Sequence, residues 1–421
     1  MDFAQQDDSR LSIVSRVANP DFLDLPWDVP LDDWIHPRMA TVARGISRHT
    51  VKFVRYGERV FALKETEVRP AETEYRMLRT LHDDFGLPTV KPTAVVKGRT
   101  TSPTNSGASP SPLGAVLITR YLDFSLPYRY LFGSENSEPY RQRLLDALVV
   151  LLVRLHLHGV VWGDCSLSNT LFRRDAGALA AYLVDAETSE TKPSLADELR
   201  LNDLEVGCTN IAGGMLDLQS EGRLPVDVDP FTVIDDLRAR YQQLWSELTR
   251  IDQFDPSERF RIDRRIARVN ELGFDIGELA IERSADGSRL WIKPIVVEEG
   301  HHHRALMRLT GLAVQENQAR RLLAAMTAYG AWLEATEGRK YPTAIRTYRW
   351  LSERYEPLLE LIPDEFRDRL EPAELYIRYL DHRATINAAE GHDVDEEVTR
   401  RSFLDSVVTQ LPSERHLSDD E

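Results

Sequence analysis

The sequence predicts an α+β fold, and three observations predict it. Residues 39–65 break into short strand-like runs punctuated by turns, and 68–85 then switch to a helical period. A strongly apolar helical run, Tyr140 to His158, follows a second strand-like block. After it come short apolar segments, Leu167 to Phe172 and Ala180 to Val184, which frame the polar residues Asp164, Asn169 and Asp185.

The bulk numbers set bounds before any motif is read. With 421 residues, 42% hydrophobic and 29% charged, the chain has material for two or three soluble domains. A net charge of −16 excludes general nucleic-acid binding and adhesion to anionic membranes as its main business. Its cysteines, Cys165 and Cys208, form no framework and fit a reducing compartment. No stretch is apolar for long enough to span a membrane, and the acidic start MDFAQQDDSR lacks the features of a secretory signal. The expected location is cytoplasmic.

Residues 1–38 are acidic and proline-punctuated, with Phe22, Leu25, Trp27, Leu31 and Trp34 irregularly spaced; they are expected to dock on the core as a tail. MATVAR, GISRH with TVKFVRY, and RVFALKE then read as three antiparallel strands, turning at Gly57-Glu58. Helix 68–85 follows, with Tyr75, Leu78, Leu81 and Phe85 apolar. The stretch 97–114 is rich in Ser, Thr, Pro and Gly and reads as a disordered insert. Ala115 to Leu122 is a buried strand leading to a hinge at Asp123-Phe124. Beyond Asp185, helices are expected over 196–219, interrupted at Ala212-Gly213-Gly214, and over 231–251.

Asp164, Asn169 and Asp185 place three oxygen-bearing side chains on two neighbouring backbone segments. That set suits phosphoryl transfer: one carboxylate meets an acceptor hydroxyl, while an amide and a second carboxylate hold Mg²⁺ against nucleotide phosphates. The spacing D-x-x-x-x-N followed by a strand-borne Asp resembles the catalytic and metal loops of the protein-kinase-like fold. Ala62-Leu63-Lys64 resembles that fold's lysine strand, and Glu74 stands where its lysine-pairing glutamate would be, with Glu72 as the runner-up. The turn from Gly45 through Ser47 to His49 stands where a phosphate-covering loop belongs, although it is no G-x-G-x-x-G. The chain departs from the kinase pattern in reading Trp162-Gly163-Asp164 for His-Arg-Asp and Asp185-Ala186-Glu187 for Asp-Phe-Gly. These departures resemble the bacterial lipopolysaccharide-kinase-like (Kdo and heptose kinase) group.

The resemblance implies a bilobal domain, with an N-lobe over 39–120 and a C-lobe over 121–252, that uses ATP and Mg²⁺ to phosphorylate a hydroxyl of a sugar, glycolipid or small metabolite. Lys64, held by Glu74, would grip the α- and β-phosphates under Gly45 and Ser47. Asn169 and Asp185 would bind Mg²⁺, and Asp164 would act as catalytic base. The alternatives are a nucleotide-binding pseudokinase that scaffolds a protein partner through its C-terminal module, and an AMP transferase. Cys165, beside the proposed base, reads as a packed structural cysteine rather than a nucleophile.

Residues 253–340 read as an α+β accessory module. A basic helix (257–272) precedes two strands, 276–283 and 289–297, joined at Ala285-Asp286-Gly287, and then helices 301–309 and 314–336. From 341 the chain is helical, with Trp350, Tyr355, Leu358, Leu359, Tyr376 and Leu380 as core candidates and a frayed polar tail. A lipopolysaccharide-kinase-like domain followed by such a module resembles an uncharacterised bacterial family. His301, His302, Arg304, Arg320 and Arg321 are a candidate site for an anionic acceptor or partner, because a helix starting at Gly300 presents free N–H groups. A solvated helix with ordinary surface charge is the plain alternative.

Overall fold

The computed structural model describes residues 10–42, 49–102, 109–128, 131, 138–250, 252–254, 260–261, 264, 278–283, 290–295, 301–367, 369–411 and 417–418. The chain is α+β, as expected. Its first layer is a five-stranded antiparallel sheet of order β1-β5-β6-β4-β3. The strands are β1 (Ser12–Ser15), β3 (Val51–Tyr56), β4 (Arg59–Thr66), β5 (Pro92–Lys97) and β6 (Ala115–Arg120). β3 and β4 form a tight hairpin with Gly57 at φ 62° in its first turn position, a conformation glycine adopts without strain.

Both faces of this sheet are buried, which explains why β5 and β6 read as continuous apolar runs rather than alternating ones. Phe61, Leu63, Ala94, Val96, Val116 and Ile118 pack against Phe22, Leu25, Trp27, Leu31 and Trp34 of the N-terminal segment. Ala115, Leu117 and Val95 pack with Ala71, Tyr75 and Leu78 of α1 (Val68–Arg79). The N-terminal segment therefore completes a core, and it goes further than a docked tail by adding β1 to the sheet edge beside β5.

Three expectations change in this region. The first expected strand shrinks to β2 (Thr41–Val42), which pairs with β15 (Leu417–Ser418); these two residues of the expected frayed tail are thus paired. Just before β2, Ala40 N donates to Phe53 O, so the run only grazes β3. The expected insert 97–114 has structured flanks, because Arg99 is fully buried. Its guanidinium donates to Trp27 O, Val29 O, Gly114 O and the Glu65 carboxylate. Finally, α1 gives way to a π-turn over Thr80–Asp84, so the expected single helix is two segments.

The second layer is helical. α2 (Glu138–Leu157) is buried on most of its faces, with Leu144, Leu145, Leu148, Val149, Leu152 and Leu155 among its core residues, so the single apolar face expected is too narrow. It packs on β10 (Ala178–Leu183) and on α4 (Pro230–Thr249). α4 starts at Asp229, whose carboxylate accepts from Phe231 N (3.1 Å) and Thr232 N (3.2 Å) ahead of a proline at the first helical position. α3 (Asp197–Ser220) runs unbroken through Gly213-Gly214, since Ile211, Met215 and Leu218 bury on either side of the pair. Short strands β7 (Leu126–Pro127), β8 (Val160–Val161), β9 (Thr170–Asp175) and β11 (Glu190–Thr191) complete the region, in the orders β10-β9-β7 and β11-β8.

Beyond residue 250, β12 (Asp252–Phe254), β13 (Glu278–Arg283) and β14 (Leu290–Ile295) form a small antiparallel sheet in which β12 was not expected. The expected helix 257–272 lies outside the described residues apart from Phe260, Arg261 and Arg264, and the Ala285-Asp286-Gly287 turn lies outside them entirely. Then come α5 (His301–Thr310), α6 (Glu316–Glu337), α7 (Thr343–Trp350), α8 (Pro372–Glu390) and α9 (Glu396–Ser406). Leu306, Leu322, Leu333, Trp350, Tyr355, Leu358, Tyr376 and Phe403 make their common core. Leu359 and Leu380 pack against it only partly buried.

This helical group grips the β9–β10 hairpin through buried polar contacts. Asp175 accepts from Gln318 N (2.8 Å), Asn317 N (3.2 Å) and Asn317 Nδ2 (2.9 Å) in the first turn of α6. Burial pushes the Asp175 carboxyl up to about 6, against the lowering effect of these backbone donors. Arg173 pairs with Glu371 (2.6 Å), Ala176 N donates to Glu374 (2.9 Å), and the Tyr182 hydroxyl donates to Gln315. No helix among the described residues is long and apolar enough to cross a membrane.

Candidate active site

Between the sheet and the helical layer lies a cleft of ≈ 950 Å³. One wall is the underside of the sheet, including Val51, Ala62 and Leu117; the link Tyr121-Leu122 closes one end. The expected hinge at Asp123-Phe124 sits elsewhere, lining a shallow groove with Arg38 and Pro372, because β6 already ends at Arg120 and the chain crosses over before Asp123. Asp164, Asn169 and Asp185 face Lys64 and Glu74 inside the same cleft. Gly45 and Ser47 lie outside the described residues; His49 and Thr50, just beyond them, line the cleft.

Alternation along β4 decides where Lys64 points. Leu63 enters the layer under the N-terminal segment, so Lys64 projects to the opposite face, toward α1 and the cleft. Its Nζ lies 3.0 Å from Glu74 Oε2 and 2.6 Å from Asp185 Oδ2. Glu72 instead pairs with Lys97 Nζ (2.7 Å), which decides between the two glutamates. Glu187 is the third carboxylate around Lys64, at 3.5 Å, and the ligand oxygens of Glu74, Asp185 and Glu187 lie within 4.8 Å of one another.

One ammonium thus faces three carboxylates. Glu74, the most buried, is pushed up to about 7 by burial and by the Asp185 charge, with Lys64 pulling the other way. Burial alone would lower Lys64, but Glu74 and Asp185 outweigh it and raise its pKa.

The loop carrying Asp164 is fixed from behind. Asp203 of α3 accepts from Trp162 N (2.9 Å) and Gly163 N (2.7 Å), and its Oδ2 lies 3.0 Å from His156 Nε2. Trp162 is buried and donates through Nε1 to Asp185 O (3.0 Å), tying the two polar segments together. Gly163 has φ 80°, and a Cβ there would stand 2.9 Å from Thr188 O, so the glycine is required by conformation and by space.

Asp164 is held by two amides. Asn169 Nδ2 reaches Asp164 Oδ2 (3.0 Å) and Asp164 O (3.0 Å), while Asn210 Nδ2 reaches Asp164 Oδ1 (3.0 Å). Turning its NH₂ to Asp164 leaves the Asn169 carbonyl oxygen for a cation. That oxygen and the Asp185 carboxylate are hard donors of the kind Mg²⁺ takes. Cys165 is fully buried against Gly207, and burial, with Asp203 next, pushes its thiol well up, which fits packing and not nucleophilic chemistry.

Asn210 and Asp203 escaped the sequence reading, as did Glu187 and Asp217. A signal for most of them exists: Asp203, Gly207, Asn210, Gly214 and Asp217 recur at intervals of three and four residues, a polar and small stripe on one face of α3. Asn210, Gly213, Gly214 and Asp217 line the cleft beyond Asp164.

The histidine and arginine group lies apart from the described lining of the cleft, and His302 and Arg321 have partners of their own. His302 N and His303 N, at the start of α5, donate to the Glu316 carboxylate (2.9 and 3.0 Å), so the expected anion at this helix start is the chain's own side chain. Those donors, with His302 itself, hold Glu316 below the usual carboxylate range despite its burial. Arg321 pairs with Asp381 (2.5 Å). Arg304 and Arg320 do not line the cleft, and the His301 side chain lies outside the described residues.

A family model described as a domain of unknown function (DUF4032) matches residues 243–408, well under half of the chain, from the end of α4 to the end of the C-terminal core. No curated protein matches. Among solved structures, the chain is similar to one titled "WaaP in complex with acyl carrier protein" at 15% identity and a TM-score of 0.32, over 55% of this chain and 88% of that one. A likeness of that strength carries no argument about function.

Proposed function

We propose that the chain is an ATP- and Mg²⁺-dependent phosphotransferase acting on a hydroxyl of a sugar, glycolipid or small metabolite. The observation that carries this reading is the convergence of Lys64, Glu74, Asp164, Asn169 and Asp185 on one cleft, with Lys64 bridging Glu74 and Asp185. Lys64 neutralises the α- and β-phosphates and is oriented by Glu74. Asn169 and Asp185 hold the metal, and Glu187 offers a further carboxylate beside them. Bound Mg²⁺ supplies charge neutralisation on the transferring phosphoryl group. Asp164, its carboxylate steadied by Asn169 and Asn210, orients the acceptor hydroxyl and takes its proton. On this reading residues 39–120 cover the nucleotide, 121–252 carry the catalytic loop, and 253–340 and 341–421 are accessory.

The test is incubation of the protein with Mg²⁺, ATP and a panel of sugars, lipid-linked glycans and cell extract, followed by mass analysis of products. A gain of one phosphate, reduced about 10²–10⁴-fold in Asp164→Asn, is the expected result. A gain of AMP would replace the reading with adenylyl transfer. No product in any mixture, with nucleotide binding intact, would point to a binding protein built on the same cleft.

A further inference from the structure

The contacts between the C-terminal helices and the β9–β10 hairpin fall on the one hairpin that carries the candidate metal ligands. Asn169 immediately precedes β9, and Asp185 follows β10 by two residues. The base is closed by the pair Thr170–Leu183 and by Val184 N donating to Asn169 O (3.0 Å). The far end is the turn Asp175-Ala176-Gly177-Ala178, which sits in the helical group.

That turn is shaped by what covers it. Ala176 has φ 55°, a left-handed conformation that a turn of this kind ordinarily gives to Asn, Asp or Gly. Its methyl packs on the core of the C-terminal helices, and its N–H goes to Glu374. Asp175 supplies both carboxylate oxygens to the opening turn of α6, where they serve otherwise unpaired N–H groups. The hydrogen bonds among these contacts are directional and buried or partly buried, so together they restrict how the hairpin can tilt.

We infer that the helices after residue 300 clamp the tip of the β9–β10 hairpin and thereby set the position of Asn169 and Asp185, making Asp175 a positioning residue for the site. Six residues per strand give a hairpin about 20 Å long. A tilt of about 3° at the tip then shifts the base by about 1 Å, and a misplacement of that size can cost on the order of 10²-fold in rate. The clamp rests on the phosphotransferase reading only in the role given to the two residues at its base.

The experiment is hydrogen–deuterium exchange on the full chain, read over residues 164–170 and 184–190, with ATP titrations in Mg²⁺ and in EDTA. Asp175→Ala is compared with Asp175→Asn, which keeps one acceptor oxygen but turns an NH₂ toward the remaining N–H donors. Phe403→Leu, a substitution in the core of the C-terminal helices away from the hairpin, serves as the destabilised control. Asp175→Ala is expected to speed exchange in both segments by at least about tenfold and to weaken Mg²⁺-dependent ATP affinity by a similar factor. Asp175→Asn, which loses one of the two acceptor oxygens, should fall between the parent and Asp175→Ala, and Phe403→Leu should leave both segments protected at an equal loss of melting temperature. Equal exchange in Asp175→Ala and Phe403→Leu at matched stability overturns the clamp. Glu374→Ala, which removes the acceptor of Ala176 N, carries the same readout should Asp175→Ala not fold. A parent that binds ATP without regard to Mg²⁺ counts against the phosphotransferase reading, while the exchange comparison still decides the clamp.

Discussion

At the scale of single residues, the cleft is a problem of charge balance that Lys64 only partly solves. Glu74 sits near 7 because burial and Asp185 both oppose its ionisation, and it completes its pair with Lys64 only when ionised. Its folded value lies above the ordinary 4.5, so its contribution to stability is present at acid pH and lost as pH rises between those two values. Function runs the other way: nucleotide affinity should increase as pH rises through about 7, and Glu74→Gln should flatten that step. An affinity equally flat in parent and variant would remove Glu74 from the site. Asn210 makes a second case. Asn210→Ala frees one Asp164 oxygen, so kcat should fall about tenfold with ATP affinity unchanged, measured by steady-state kinetics once an acceptor is in hand. Lys64, Glu74, Asp164, Asn169 and Asp185 were legible as candidates through their resemblance, in chain order, to the motifs of the protein-kinase-like fold, and they line one cleft. Asn210 was not singled out, since the polar and small stripe it belongs to on α3 gains a meaning only once the loop it faces is known.

At the scale of elements, strands with both faces buried and the leucine-rich α2 declare themselves by composition, whereas the turns and partners do not. Arg99 shows the limit: a Ser/Thr/Pro/Gly-rich stretch reads as insert, yet one guanidinium with backbone acceptors on three sides orders its flank. Pairing of β2 with β15 joins residues from opposite ends of the chain, a contact no local pattern encodes. The loop carrying Asp164 is the element most exposed to backbone change. Gly163→Ala puts a side chain at φ 80° and against Thr188 O, and should cost about 1–3 kcal/mol, read as a lowered midpoint in urea with the slope unchanged. A variant as stable as the parent would mean that the loop can relax away from Thr188.

For the whole molecule, the N-terminal segment belongs to the first layer rather than hanging from it. Trp27 is buried against the sheet, and its carbonyl accepts from Arg99 Nε (3.1 Å). Trp27→Ala should therefore cost about 3–5 kcal/mol in equilibrium unfolding, whereas a loosely docked tail would cost under 1. The C-terminal helices likewise touch the β9–β10 hairpin directly, so the part matched by the domain of unknown function is in contact with the segment that leads to the cleft. What all of this serves is a cleft that gathers hard oxygen donors around one lysine. The most direct measurement of that claim is a calorimetric titration of ATP into the parent and Asp185→Asn, each with Mg²⁺ and with EDTA. The account predicts Mg²⁺-dependent binding in the parent that weakens at least about tenfold in Asp185→Asn, with the two proteins alike in EDTA. Equal affinities in all four titrations, or no binding by a folded parent, would contradict it.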